Sequence, residues 1–367
     1  MLSPARDAAL DILLKVEQGG FASELLHSER LDKLSTADRG LCTELVMGVL
    51  RWRSRLDEAI ASVSSQKLSK LDAEVLESLR LAAYQIGFLQ RIPAHAAVND
   101  SVELVKRKKK TSAAPFVNAV LRKLLAKKEV FEPALSPGPI TVPDLVLMHA
   151  HPLWLVERWA QRYDLDAAVK ICAHDQSIPS TAIHFGDDSA LSELEAEGIK
   201  LEPGILMRSA RRIASGDVTK TKAFTDGRVW IQDEGSQLVA ALVGHGERLL
   251  DCCAAPGGKT AILAERNPQS SITAAEIHEH RARMMQKRLQ SRTNVKVMTA
   301  DATQLSESNF DRVLADVPCS GTGTLARNPE IKWRLQPRDL TDLHQRQVLI
   351  LRAALSKLSP GGRVIYS

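Results

Sequence analysis

Long apolar runs are missing from this chain. None approaches the roughly 18 residues that a membrane helix needs, and Arg6 and Asp7 stand where a secretory signal would be apolar. A cytoplasmic protein with no membrane partner is expected. The five cysteines, Cys42, Cys172, Cys252, Cys253 and Cys319, form no C-x-x-C pair. That spacing suggests neither a disulfide framework nor a four-thiolate zinc site, so no metal is expected and cysteine chemistry would be that of a single thiol. A G-x-G-x-x-G fingerprint is also absent, which removes the usual dinucleotide cradle. What remains is the balance of a globular protein: 367 residues, 25% charged and 44% hydrophobic, enough for two or three domains. Disorder and fibre are excluded.

The net charge of +5 is unevenly spread. Residues 1 to 130 hold 21 Lys+Arg against 16 Asp+Glu, whereas the remainder is balanced at 28 against 28. Much of the excess is the run Lys106, Arg107, Lys108, Lys109 and Lys110, followed by Arg122, Lys123, Lys127 and Lys128; a second cluster is Arg51, Arg53 and Arg55 around Trp52. Phosphate is the natural partner of such runs, and two of them in one otherwise balanced protein point to nucleic acid rather than to a solvated helix face.

From Ala5 to about Ala126 the apolar period is helical, with Leu41, Leu45, Val46, Val49 and Leu50 on one stripe and Leu71, Val75, Leu76, Leu79, Ala83 and Ile86 on another. Ser35 to Asp38 forms a capping start, and the last helix is expected from about Pro115 to Lys128. The reading is an all-α bundle over 1–130 and a linker over 131–144 carrying Pro133, Pro137, Gly138, Pro139 and Pro143. A small α/β subdomain is expected over 145–232, with helical Leu153 to Tyr163 and Ala167 to His174 and strands near Thr181 to Phe185 and Arg228 to Ile231. From 233 to 367 strands alternate with helices: Leu249 to Cys252, Ile272 to Ile277, Val295 to Thr299, Val313 to Val317 and Arg363 to Tyr366. That repetition means a parallel, doubly wound, Rossmann-like sheet. Leu358 to Gly362 reads as a helix stop and turn, and a strand ending at Ser367 suggests a C-terminal truncation.

The first of these strands runs into Asp251, Cys252, Cys253, Ala254, Ala255, Pro256, Gly257, Gly258, Lys259 and Thr260. A strand, a small-residue turn and a helix start make a ligand cradle, because unpaired backbone N–H groups point into it and glycine allows close approach. A P-loop requires G-x-x-x-x-G-K-[ST]; Gly258, Lys259 and Thr260 match, but Cys253 stands at the opening glycine. A β–α turn without a ligand is the plain alternative. Acidic residues close the later strands: Glu276, Asp301 and Asp316. Carboxylates at the carboxyl edge suit ribose hydroxyls and an adenine amino group, and they suit the cationic, phosphate-free S-adenosylmethionine better than a triphosphate. Asp316, Val317, Pro318, Cys319, Ser320 and Gly321 then put a thiol at the mouth of the crevice. Such a thiol could activate C5 of a cytosine by adding at C6.

These motifs, together with Trp230 to Gln237 (W-I-Q-D-E-G-S-Q), resemble those of the RNA cytosine-C5 methyltransferases. The helical part, with Asn99, Glu103 and Phe116 to Arg122, resembles the antitermination factor NusB. The whole chain is similar to the bacterial 16S ribosomal RNA methyltransferases of the Sun/Fmu type. The resemblance implies a monomeric, RNA-binding enzyme with S-adenosylmethionine as cofactor and cytosine 967 of 16S RNA as target. It implies that Cys253 to Lys259 cradle the methionine end, with Glu276 at the ribose, Asp301 at the adenine and Asp316 at the target cytosine. It makes Cys319 the thiol of product release. The nucleophile belongs to a Tyr-Ser-Thr-Cys motif of which this sequence shows Tyr366 and Ser367, so its cysteine would fall two positions later and the chain as written would be inactive. A P-loop-like nucleotide-binding protein and a non-catalytic RNA-binding module are the alternative readings.

Overall fold

Ser35 accepts a hydrogen bond from the Asp38 amide at 3.1 Å and starts a helix that runs from Thr36 to Val63. In the computed structural model, which describes residues 2–90, 92–135 and 137–367, this long helix packs with Pro4–Glu17, Ala73–Phe88 and Ala114–Ala126, and Ala94–Arg107 packs on the last two. The two apolar stripes of the sequence meet in their core: Leu45, Val46, Leu79 and Ala83 are wholly buried, with Val117, Leu121 and Leu124 closing it. Leu71 lies just before its expected helix, and the last helix stops at Ala126 rather than Lys128.

The proline-rich stretch ends in a helix instead of continuing as linker. Thr141 and Asp144 form a reciprocal capping box, and Pro143 occupies the first turn of Val142–His149, where its missing N–H costs nothing. Leu153–Tyr163 and Leu165–Asp175 follow, and Leu145, Leu155, Val156 and Trp159 cluster with Leu325. The chain forms two compact units: residues up to Ile178 with Gly321–Leu335, and Pro179–Ser320 with Gln336–Ser367. The helices over 142–175 thus belong with the first unit, whereas the strands after residue 180 belong with the second.

In the second unit β1 (Ala182–Phe185), β2 (Lys200–Pro203), β3 (Ala210–Ser215) and β4 (Val229–Ile231) make an antiparallel sheet in the order β2-β3-β1-β4. Five parallel strands follow: β5 (Arg248–Asp251), β6 (Ser271–Glu276), β7 (Val295–Thr299), β8 (Phe310–Ala315) and β9 (Leu358–Tyr366). Their order, β7-β6-β5-β8-β9, reverses between β5 and β8. A doubly wound sheet opens its ligand crevice at that reversal, outside the carboxyl ends of the strands. The turn expected over Leu358 to Gly362 is a bulge inside β9: Phe310 pairs with Leu358 and Arg312 with Arg363, and Gly361 adopts φ +79°. The antiparallel sheet is tied to the helix Gly258–Arg266, which follows β5, by His184, whose Nε2 lies 2.6 Å from Glu265 Oε2.

Among the described residues, no helix is long and apolar enough to cross a membrane.

Candidate active site

β5 ends on Asp251, which burial pushes up to about 6 and which accepts a hydrogen bond from Thr260 Oγ1 at 2.8 Å. That bond fastens the strand end to the helix Gly258–Arg266. Between them lies the tight turn predicted from the sequence. Ala254 N–H donates to Ala275 O at 2.9 Å, so the turn is anchored to β6. Gly257 has φ +100°, and a Cβ there would meet Met285 Cγ at 2.9 Å. At Gly258 a Cβ would come within 3.1 Å of Gln232 Oε1. Backbone conformation disfavours a side chain at the first glycine, and at the second a Cβ would crowd the Gln232 side chain.

The acidic residues converge as the sheet topology requires. Glu276, almost fully buried, closes β6 and accepts the His278 N–H at 2.8 Å. Asp301 follows β7 and caps a short turn, Oδ1 accepting from Thr303 N at 2.9 Å and Thr303 Oγ1 at 2.8 Å. Asp316 follows β8 and takes the Lys259 ammonium on Oδ2 at 2.6 Å. Lys259, the residue that made the P-loop reading attractive, is therefore engaged by a carboxylate. Gln232 Oε1 is buried and has no hydrogen-bond partner among the described residues, whereas the Asp251 carboxylate is held by Thr260 and by the Cys253 backbone.

Of the five cysteines only Cys319 is exposed. It sits in the Pro318–Cys319 turn, held from behind by Gln347 Nε2, which donates to Pro318 O at 3.0 Å. Burial pushes Cys253 up to about 12 and keeps it a thiol, so its place in the cradle is one of packing. The Trp230 to Gln237 segment reaches the same region. Trp230 packs against the cluster of Ala254, Ala261 and Met285, and Gln237 Nε2 donates to Gln232 O at 2.9 Å. The sequence marked this segment only as a motif; its side chains are legible as part of the cradle only in three dimensions.

The basic residues are arranged differently from the expected phosphate-facing surface. Arg51 is buried, with Nη2 donating to Ala326 O at 3.0 Å while its own carbonyl accepts from Lys332 Nζ at 2.9 Å. Its guanidinium is thus occupied within the fold, and burial lowers its affinity for its proton. Arg53 makes a two-pronged pair with Glu17 at 2.7 and 3.1 Å. In the run itself Lys106 pairs with Glu103, Arg107 with Asp7, Lys108 with Asp11 and Lys110 with Asp72. Lys109, exposed and at φ +63°, makes no ion pair among the described residues.

Comparison with known proteins agrees with this geometry. The family described as 16S rRNA methyltransferase RsmB/F matches residues 240–367, and the NusB family matches residues 3–126. The chain is 35% identical over 378 aligned residues to the Bacillus subtilis (strain 168) protein named "Probable ribosomal RNA small subunit methyltransferase B", covering 99% of this chain and 84% of that one. It is 33% identical to ribosomal RNA small subunit methyltransferase B of Salmonella enteritidis, covering 98% and 85% of the two chains. In fold it is similar to the crystal structure of PH0851, with a TM-score of 0.83 at 20% identity over 99% of this chain and 85% of that one. These likenesses span both units, and the chain belongs to the ribosomal RNA small subunit methyltransferase B family, with a NusB-like helical region ahead of a Rossmann-like methyltransferase sheet.

Proposed function

We infer that this protein transfers a methyl group from S-adenosylmethionine to C5 of a cytosine in 16S ribosomal RNA, by resemblance cytosine 967, through a covalent cysteine adduct. The observation that carries the reading is the meeting of Lys259 and Asp316 at the β5/β8 reversal, three residues before the exposed Cys319. Glu276, which closes β6, and Asp301, which follows β7, suit the ribose and adenine of the cofactor's nucleoside. Bound there, S-adenosylmethionine supplies an electrophilic methyl group on a sulfonium.

The protein must make C5 nucleophilic. A cysteine thiolate adds to C6 of the ring, and Asp316, oriented by Lys259, holds or protonates the N3 edge so that the electron pair displaced from the C5–C6 bond becomes available at C5. After methyl transfer a base removes the C5 proton, and the C6–S bond breaks to restore the ring and the thiol. By resemblance, Cys319 serves this release, and the attacking thiol is the cysteine of the Tyr-Ser-Thr-Cys motif.

Two measurements test the reading. Nucleoside analysis of small-subunit RNA after incubation with methyl-labelled cofactor should yield 5-methylcytidine; label on another base, or on ribose, would falsify it. In protein carrying both thiols, Cys319→Ala should accumulate a protein–RNA adduct visible on a denaturing gel. Loss of activity without any adduct would make Cys319 the attacking thiol instead.

A further inference from the structure

The loop between β2 and β3 is unusual in being both apolar at its tip and rigidly held. Ile205 and Leu206 are 74% and 65% exposed. Yet all three successive amides at this tip are bound by one buried carboxylate: Ile205 N–H donates to Glu234 Oε1 at 3.0 Å, and the N–H groups of Leu206 and Met207 donate to Oε2 at 2.7 and 3.1 Å. Gly204 packs so closely that a Cβ would lie 2.8 Å from Glu234 Oε2. On the following strand Arg211 Nη1 donates to Arg208 O at 2.9 Å. Two large apolar side chains are thus presented to solvent on a fixed backbone. Folding gains nothing from their exposure, and what sets them apart from other exposed apolar residues is the fixed backbone beneath two adjacent ones.

The chemistry around the tip selects the partner. Residues 200 to 215 carry Lys200, Arg208, Arg211 and Arg212; Glu202 pairs with Arg212 at 2.9 Å, and the other three cations leave the flank positive. Position agrees with charge. Glu234 stands two residues after Gln232, whose side chain packs on the Gly258 cradle, and two residues span at most about 7 Å. Through Glu234 the loop is therefore tied to the segment whose Gln232 packs on the cradle. Apolar wedges and cations together are the usual means of gripping unstacked RNA: the wedge covers a base face, and the cations meet phosphate.

We propose that the Ile205–Leu206 tip, clamped by Glu234 and flanked by Arg208, is an RNA-contact element that packs on a base next to the target nucleotide. This rests on the functional reading above and adds to it a residue pair outside the catalytic motifs. It also explains Glu234 in the motif Trp230 to Gln237, because this carboxylate joins the RNA-contacting loop to the helix that starts beside the cofactor cradle.

The full chain should be titrated with protein-free small-subunit ribosomal RNA, in parallel with cofactor binding by calorimetry. The double variant Ile205→Ser/Leu206→Ser should raise the RNA Kd about tenfold, the scale of one lost base contact, with cofactor affinity unchanged. Its salt dependence should match the unsubstituted protein, whereas Arg208→Gln should reduce the salt slope by about one. Unchanged RNA affinity of the double variant would overturn the proposal. A loss seen only with the intact ribosomal subunit, and not with bare RNA, would overturn it too and identify the tip as a protein-docking surface. The unsubstituted chain's own RNA binding and methylated product report on the functional reading, so the two failures are distinguishable.

Discussion

Lys259 Nζ donates to Asp316 Oδ2 at 2.6 Å, joining the first residue after the glycine turn to the residue that closes β8. The pair bridges the two strands between which the sheet order reverses, so it fixes the floor of the crevice. Asp316→Asn keeps the shape of the side chain but removes its ability to exchange a proton with N3. The kcat/KM for ribosomal RNA should fall by about 100-fold or more, the usual weight of a positioned acid or base, while cofactor affinity changes far less. Equal losses in both would mean that Asp316 serves the cofactor and not the base.

The two carboxylates placed for the nucleoside should be separable from the chemical step. Asp301→Ala and Glu276→Ala should each weaken S-adenosylmethionine binding by about 1 to 3 kcal/mol, the loss expected when a charged acceptor is taken from a ligand's hydrogen bond. Calorimetry on each variant checks this. Normal binding in both would remove the nucleoside from this edge of the sheet.

RNA binding through the lysine run should rest on one residue. Lys108 and Lys110 are paired with Asp11 and Asp72, so little of their charge is available to release counterions from RNA. Lys109→Gln should lower the slope of log K against log salt by about one, and Lys108→Gln should leave it nearly unchanged. Should Lys108 and Lys109 prove equal, or both silent, this surface is not the one that meets phosphate.

Lys332 is 1% exposed, and burial pushes its ammonium down to about 7 despite the neighbouring Asp175 carboxylate. An unfolded lysine keeps its proton up to about 10.5, so between these values the unfolded chain binds a proton that the folded chain lacks. Stability must then rise with pH across that window and gain nothing more above it. Lys332→Met removes the titration. The melting temperature of the variant should change less favourably from pH 7 to pH 10 than that of the unsubstituted protein, and parallel curves would show that Lys332 stays charged when folded.

The local features were legible from the sequence because they depend on neighbours in the chain. Ser35 caps its helix as the Ser35 to Asp38 pattern predicts, Leu153–Tyr163 and Val295–Thr299 form with the expected bounds, and the glycine turn stands between β5 and its helix. β2 and β3 escaped notice for an equally local reason. Lys200–Pro203 is mostly exposed and ends in proline, and Ala210–Ser215 carries two arginines, so neither shows the apolar alternation of a buried strand.

What only the tertiary structure decided was the partner of each charge. Asp11 lies 97 residues from Lys108, and Arg51 lies 281 residues from Lys332. No periodicity reports such pairings, yet they give Lys106, Arg107, Lys108 and Lys110 a carboxylate each within the fold and bury Arg51. The same holds for residues 321–335, which follow the Pro-Cys turn in sequence but pack with the helical unit, and for Glu234, whose hold on the Ile205 loop spans 29 residues. Composition and motif told which chemical groups are present. Folding determined which of them are already satisfied by the protein and which are left to meet a ligand, because desolvation and pairing depend on distances that the chain order does not contain.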